Sequence, residues 1–258
     1  MKILMLGDVT SPQAADYLVS ALPEARARLG ADFVTVNAEN AGFIIGPTPE
    51  LARKLLSSGA DVLTGGNHTL QNYDMLASID EMRRVLRPAN YPQRTEGNGY
   101  CIKETAGGVR VLTVSLLGRV HIEPPLSSPF EAVDRVLRAA EGRYDLAIVD
   151  FHAEATGEKL AMGHYLDGRV TAVVGTHTHV PTADLTVLPR GTGYVTDLGM
   201  CGARGSILGI DPSEIVERFL TAVNHKLHPA RGRMYADGVL FTVDEAKGIC
   251  TAAERIVI

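Results

Sequence analysis

Six short runs rich in Val, Ile and Leu recur through the first two-thirds of the chain: KILML, FVTVN, DVLTG, VRVLTVSL, DLAIVD and VTAVVG. They are apolar at consecutive positions with little alternation, which predicts strands buried on both faces. Helices are expected between them. Ser11-Pro12 and Thr48-Pro49 each place a capping residue before a proline at the first helical position, and Gly30 and Gly59 close the same segments. Asp211-Pro212-Ser213-Glu214 repeats the start signal, with Glu214 placed to complete a capping box. Beyond about residue 185 the pattern shifts to short β-like runs, DLTVLP, TGYVTD, VLFTVD and AERIVI, with one helix over Pro212–Val223. That shift predicts a second, mixed or antiparallel sheet. RVHIEPPLSSPF reads as a surface loop, and residues 1–258 read as one α/β domain.

Each central strand runs out into polar residues. KILMLGD ends at Asp8, FVTVNAEN at Glu39 and Asn40, VLTGGNH at Asn67 and His68, LAIVDFH at Asp150 and His152, and VVGTHTH at His177 and His179. Ligands of open α/β sheets bind beyond the carboxyl ends of the strands. Taken singly, Asp8 is as well explained as a cap, and Asn40 and Asn67 as turn residues. Capping needs alone would not place carboxylate, carboxamide and imidazole at five successive strand ends, and the set predicts a metal site. His121, His164, His225 and His228 lie outside it and read as structural.

Composition narrows the chemistry. A formal charge of −5 argues against a protein that wraps long nucleic acid, since such phosphate contacts need clustered Lys and Arg, although small phosphate groups remain compatible. Cys101, Cys201 and Cys250 are odd in number and widely spaced, so neither a disulfide framework nor a thiolate metal site is expected. No apolar run approaches the ~18 residues of a membrane span. A soluble cytoplasmic protein, compatible with homo-oligomerisation, is the expectation.

In an extended segment His177 and His179 would project from one face, each reaching one of two ions about 3.5–4 Å apart. Gly175 would let the backbone approach those ions. Glu39 offers two oxygens on one side chain and is the natural bridging carboxylate. For Asn40 to ligate as well, the chain must leave extended geometry right after Ala38.

GNH at 66–68 followed by GTHTH at 175–179 resembles the calcineurin-like metallophosphoesterases. Their DxH motif stands here as GDVT, with Thr10 replacing the histidine, and their GDxxD as NAEN, with Glu39 replacing the aspartate. Those departures, with GDV, NAENA, GNHT, RPANYP, DFHAEAT, DGRVTAVVGTHTHV and TDLGM, resemble one branch along nearly the whole chain, the YmdB-like bacterial metallophosphoesterases. The resemblance implies a four-layer αββα sandwich and a dinuclear centre that hydrolyses small phosphodiesters, with 2′,3′- or 3′,5′-cyclic nucleotides as the substrate class. It places one ion among Asp8, Glu39, Asn40 and His179 and the other among Glu39, Asn67, His152 and His177. Oxygen and nitrogen donors suit iron or manganese, with zinc compatible.

On that reading a hydroxide bridging the ions attacks in line, and His68 protonates the leaving oxygen or steadies the phosphoryl oxygens. One of Asp150, Glu154 and Asp197 would accept a ring N–H from a ligand histidine, or all three would be solvated or capping residues. Arg87, Asn90 and Arg119 would be hydrated or touch substrate. Two other readings are a metal-bound regulatory module with little turnover and a phosphomonoesterase. A zinc amidohydrolase or peptidase would show HxH near the first strand or HExxH on a helix, and neither occurs.

Overall fold

The computed structural model describes residues 1–258 and shows a mixed α/β fold with two sheets. Strands β1 (Lys2–Leu6), β2 (Asp8–Val9), β3 (Phe33–Asn37), β4 (Val62–Thr64), β11 (Met200–Ala203), β12 (Met234–Asp244) and β13 (Ile249–Val257) form one, in the order β2-β11-β12-β1-β3-β4 with β13 also on β12. The other holds β5 (Tyr100–Glu104), β6 (Arg110–Leu117), β7 (Leu146–His152), β8 (Ala172–Thr176), β9 (Thr186–Val187) and β10 (Gly193–Val195), ordered β5-β6-β7-β8-β10-β9. Helices α1 (Pro12–Leu29), α2 (Pro49–Ser57), α3 (Tyr73–Ser78), α4 (Pro129–Ala140), α5 (Thr156–Leu166) and α6 (Pro212–Thr221) complete the chain.

The consecutive apolar runs have the expected cause. Leu4 and Leu6 of β1 pack with α1, α2 and α3 residues such as Leu18, Leu55 and Met75, while Ile3 and Met5 pack on the second sheet through Ile148, Val174 and Val195. Likewise Leu146 and Ile148 of β7 face the first sheet, and Ala147, Val149 and Phe151 face α4 and α5 through Val133, Val136 and Met162. Alternate residues thus serve two different cores, and both must be apolar. Moving toward the carboxyl ends of β3, β4, β7 and β8, the positions facing the opposite sheet become Asn37, Thr64, Asp150 and Thr176. These four meet in one buried hydrogen-bond cluster.

Helix starts follow the sequence. Ser11 caps the Ala14 N–H and Thr48 caps the Leu51 N–H, each before a proline, and Gly30 ends α1 in the left-handed conformation. Several expectations are corrected. The C-terminal strands do not build a separate sheet: β9 and β10 extend one sheet, while β11, β12 and β13 extend the other. The α2 cap is Ser58, with Gly59 one residue beyond. No capping box forms at α6, because Glu214 turns to the His228 backbone and ring at 2.7 and 2.6 Å, and the Asp211 N–H donates to the His228 carbonyl. The same helix stops at Thr221. The three cysteines are free, and no helix is long and apolar enough to cross a membrane.

Gly175 has a tighter reason for being glycine than the one expected. A Cβ there would lie 1.8 Å from the Thr196 carbonyl oxygen, so packing against the turn after β10 sets the residue. Gly175→Ala should force the strand from its neighbour and destabilise the protein by about 1–3 kcal/mol, the usual cost of overpacking. Thermal unfolding measures it, and an unchanged midpoint would refute the close approach.

Candidate metal centre

The polar strand ends converge. Glu39, His152 and His177 each present one ligand atom within 4.8 Å of the others, and this trio could hold a metal ion. Glu39 Oε1 lies 3.2 Å from His152 Nε2, which is 3.1 Å from Asn67 Oδ1 and 3.0 Å from His177 Nδ1. Beside this group sits a second set: Asp8 Oδ1 is 3.7 Å from His179 Nε2, and Asn40 Nδ2 is 3.4 Å from the same nitrogen. His68 Nε2 is 3.9 Å from Glu39 Oε1, at the mouth of the site. Eight of the nine strand-end residues singled out in the sequence therefore meet at one place, with Asp150 set behind them under Thr176.

Each histidine of the cluster has one ring nitrogen anchored and the other turned inward. His152 Nδ1–H donates to Thr176 Oγ1 at 2.9 Å, whose hydroxyl donates to Asp150 at 2.7 Å. His177 Nε2 is 3.2 Å from Glu154, His179 Nδ1 is 3.1 Å from the Leu208 carbonyl, and His68 Nδ1 is 2.9 Å from Gln71 Oε1. Such outer partners fix the ring and its tautomer, as metal-binding histidines require. Glu154 contacts a ring nitrogen directly, whereas Asp150 reaches His152 through Thr176.

Local backbone explains the placement. The chain leaves β3 at Asn37 and turns through Glu39 and Asn40, so adjacent side chains enter the same site. The Glu39 N–H donates to the Asn37 side chain at 3.0 Å, which holds that turn. His177 and His179 do not sit on an extended segment. Strand β8 ends at Thr176, and the two histidines have φ of 100° and 63°. Between them Thr178 is pinned to Asp197 by its N–H and its hydroxyl, at 3.1 and 2.6 Å. Asp197 in turn pairs with buried Lys159 at 2.8 Å. Gly66 is required for contact, since a Cβ there would meet the His152 ring at 2.3 Å.

Burial and the close packing of carboxylates with imidazoles govern the electrostatics of the site. Burial pushes the Asp8 carboxyl up to about 6, with His179 and His152 only partly opposing it. Burial also raises Glu39, but the fields and bonds of His152 and His68 prevail and bring it to about 2. Burial disfavours the charged form of His152, yet Glu39 and Asp8 overcome this and lift the ring to about 9. His177, desolvated and beside His152, falls to about 3. Only three buried side-chain oxygens in the protein lack a hydrogen bond of good geometry, and Asp8 Oδ1 and Glu39 Oε1 are two of them, although Glu39 Oε1 keeps its 3.2 Å ion pair with His152. Unpaired buried carboxylate oxygens are costly and signal an expected ligand.

Residues outside the cluster separate cleanly. Arg87 donates to the carbonyls of Glu96, Pro88 and Thr95, and Asn90 exchanges hydrogen bonds with Leu117 and Ser127, so both brace loops. Arg119 offers its backbone N–H to Glu158. An open recess of about 670 Å³ beside β5 carries Arg83, Arg84, Lys103 and Arg143 but none of the clustered residues. The site itself opens into a smaller cavity of about 250 Å³, floored by Asn40, His68, His177 and His179.

Sequence reasoning missed Thr176, Thr178 and Lys159. Lys159 left a signal, because it occupies the buried face of α5 with Met162, Gly163 and Leu166, at i, i+3, i+4 and i+7. A charged residue on a core-facing stripe predicts a buried partner.

Known proteins match over the full length. The chain is 40% identical over 258 residues to a Bacillus subtilis protein named 2′,3′-cyclic-nucleotide 2′-phosphodiesterase, covering 100% of this chain and 97% of that one. A crystal structure of a protein from Thermus thermophilus, described only as hypothetical, superposes with a TM-score of 0.91 at 39% identity, covering 100% and 99% of the two chains. The crystal structure of a protein described as a novel phosphatase from Mycoplasma pneumoniae also reaches a TM-score of 0.91, at 32% identity with 100% and 93% coverage. The family model described as YmdB-like protein matches residues 4–256, and with that span and those relatives the chain belongs to the YmdB-like family.

Proposed function

We propose that the chain is a metal-dependent phosphoric ester hydrolase acting on small phosphodiesters, cyclic nucleotides foremost. On this proposal residues 1–258 form one metallophosphoesterase domain in which two sheets lie between helical layers. Three separate cores, two between helices and sheet and one between the sheets, support that four-layer arrangement. The observation that carries the functional reading is a pair of buried carboxylate oxygens without a well-formed hydrogen bond, Asp8 Oδ1 and Glu39 Oε1, set among histidine nitrogens whose opposite sides are already bonded. Two divalent cations fit this donor set. One would be held by Asp8, Glu39, Asn40 and His179, the other by Glu39, Asn67, His152 and His177. Carboxylate, carboxamide and imidazole donors without thiolate favour manganese or iron, with zinc compatible.

When bound, such ions supply a nucleophile at neutral pH and neutralise charge on the phosphoryl group. The chain's own residues do the rest. Glu39 sits between the donor sets, and its Oε2 accepts the His68 N–H at 2.7 Å, which fixes His68 at the mouth. Gln71 Oε1 accepts from His68 Nδ1–H, so it is the Nε2–H of the protonated ring that would pass to the leaving oxygen. The name of the Bacillus subtilis relative supports a cyclic nucleotide as substrate.

Three outcomes test this reading. Glu39→Gln removes the negative charge shared by both donor sets, so metal analysis should show occupancy falling from two ions toward one. Two tightly held ions in that variant would contradict the bridging role.

Metal affinity should also depend on pH. Binding must strip a proton from His152, lifted to about 9, and at lower pH from Asp8, raised to about 6. Because both protonated forms compete with the cation, affinity should weaken as pH falls below about 9, and more steeply below about 6. Each displaced proton contributes roughly tenfold per pH unit. Manganese titration reads this directly, and a flat affinity between roughly pH 6 and 8.5 would count against it.

His68→Ala should keep both ions and lose roughly 10²–10⁴-fold in turnover, the usual share of a positioned proton transfer. The loss should be large for a cyclic nucleotide, whose ribose oxygen needs a proton, and small for a nitrophenyl ester. Equal losses on both substrates would assign His68 to the phosphoryl oxygens instead.

A further inference from the structure

The cavity above the metal centre has walls that the metal chemistry does not use. Its apolar lining comes from Phe43 and Ile44 of one loop and from Leu208, Ile210 and Leu227, and Arg218 of α6 lines it as well. Seven non-glycine residues in the protein have positive φ, and five of them line this one cavity: Phe43, Ile44, Leu208, His177 and His179. A left-handed β-branched residue such as Ile44, at φ 60°, is a true outlier that persists only where its surroundings enforce it.

The surroundings are the site itself. Loop 42–46 is tied to the turn bearing His68, because the Gly46 N–H donates to the His68 carbonyl at 3.0 Å. A Cβ on Gly46 would strike the Thr69 carbonyl oxygen at 2.3 Å, so the loop lies directly on that turn. The Leu208 part of the lining is tied to His179, whose Nδ1 bonds the Leu208 carbonyl at 3.1 Å. Both apolar parts of the lining are thus fixed, through the backbone, to the two histidines that flank the reacting position. Arg218 is the lining's only guanidinium, lies exposed, and makes no side-chain hydrogen bond or ion pair within the chain.

We infer that this cavity is a nucleobase subsite: with the phosphoryl group on the Asn40, His177 and His179 floor, the base packs against Phe43 and Ile44. Arg218 donates to acceptor atoms on the base edge. The inference rests on the phosphoesterase reading above and adds which part of the substrate is recognised, and by what. At about 250 Å³ the space is below the ~300–1,000 Å³ of drug-sized ligand sites. It suits one nucleoside and leaves no room for a chain of them. A base presents a flat apolar face with polar edges, which is the complement of an aromatic and aliphatic wall beside an unpaired donor.

The test compares adenosine 2′,3′-cyclic phosphate with glycerol 1,2-cyclic phosphate, which carries the same strained diester and no base. With the manganese-loaded protein, Phe43→Ala should raise KM for the adenosine ester about tenfold, near the lower end of what base stacking on an aromatic supplies. Turnover should be kept, and KM for the glycerol ester should not move. Arg218→Ala, on an exposed helix face where folding is not at stake, should show the same selectivity.

Calorimetric binding of adenosine 3′-monophosphate against glycerol phosphate gives a readout without turnover, and both variants should weaken only the nucleotide. Equal changes for both ligands, or none, would overturn the subsite. If wild-type protein hydrolyses neither cyclic ester, the phosphoesterase reading fails. The nucleotide binding difference would still stand or fall separately.

Discussion

The Asp150 carboxylate is the constraint on which the rest depends. It accepts hydrogen bonds from Asn37 on β3, Thr64 on β4 and Thr176 on β8, so donors from both sheets end on one buried group. Burial raises this carboxyl and the three donors oppose the rise. Below it the sheets meet through Ile148, Val174 and Phe33, which are interchangeable in kind and carry no direction. Above it they meet only where hydrogen bonds allow, which sets the sheets' register at this end. Because Thr176 both donates to Asp150 and accepts from His152, the joint between the sheets also aims the ring at the centre of the site.

Holding the site in this form opposes stability. Asp8 and Glu39 are fully buried, and each keeps one oxygen without a hydrogen bond of good geometry. Unmade bonds of this kind cost about 1–3 kcal/mol each, and two carboxylates so close to one another repel. His152, charged between them, relieves only part of this. The rigid Asp150 cluster and three apolar cores are what let the chain keep such a site assembled, as strained functional sites generally require.

The reach of the sequence depended on how locally each feature is determined. Asp8, Glu39, Asn40, Asn67, His68, His152, His177 and His179 could be read because each comes after a strand whose apolar run is visible in the chain, and strand ends share a rim. The turn after Ala38 was legible because adjacent residues could not otherwise face one way. Which sheet each late strand joins was not, since β9 to β13 are short or alternate weakly and their partners lie far away in sequence. Nor could Glu214 reveal that His228, fourteen residues on, would take its carboxylate from the helix terminus. The Thr176 and Thr178 contacts depend on β7 and on the turn after β10, so no local pattern marks them.

The turn carrying His177 and His179 shows why the local rule failed where it mattered most. Extended geometry would have set the two rings on one face about 6.5 Å apart, aimed in parallel. Left-handed backbone at both positions instead rotates them apart around Thr178. His177 Nδ1 turns toward His152 and Glu39, while His179 Nε2 turns toward Asp8 and Asn40. Thr178 points the other way, into Asp197 and Lys159, and that buried ion pair is what keeps two unfavourable φ values in place. One residue of reversed direction, anchored from beneath, thereby divides adjacent histidines between two donor sets. A regular strand could not divide them, because residues i and i+2 must share a face.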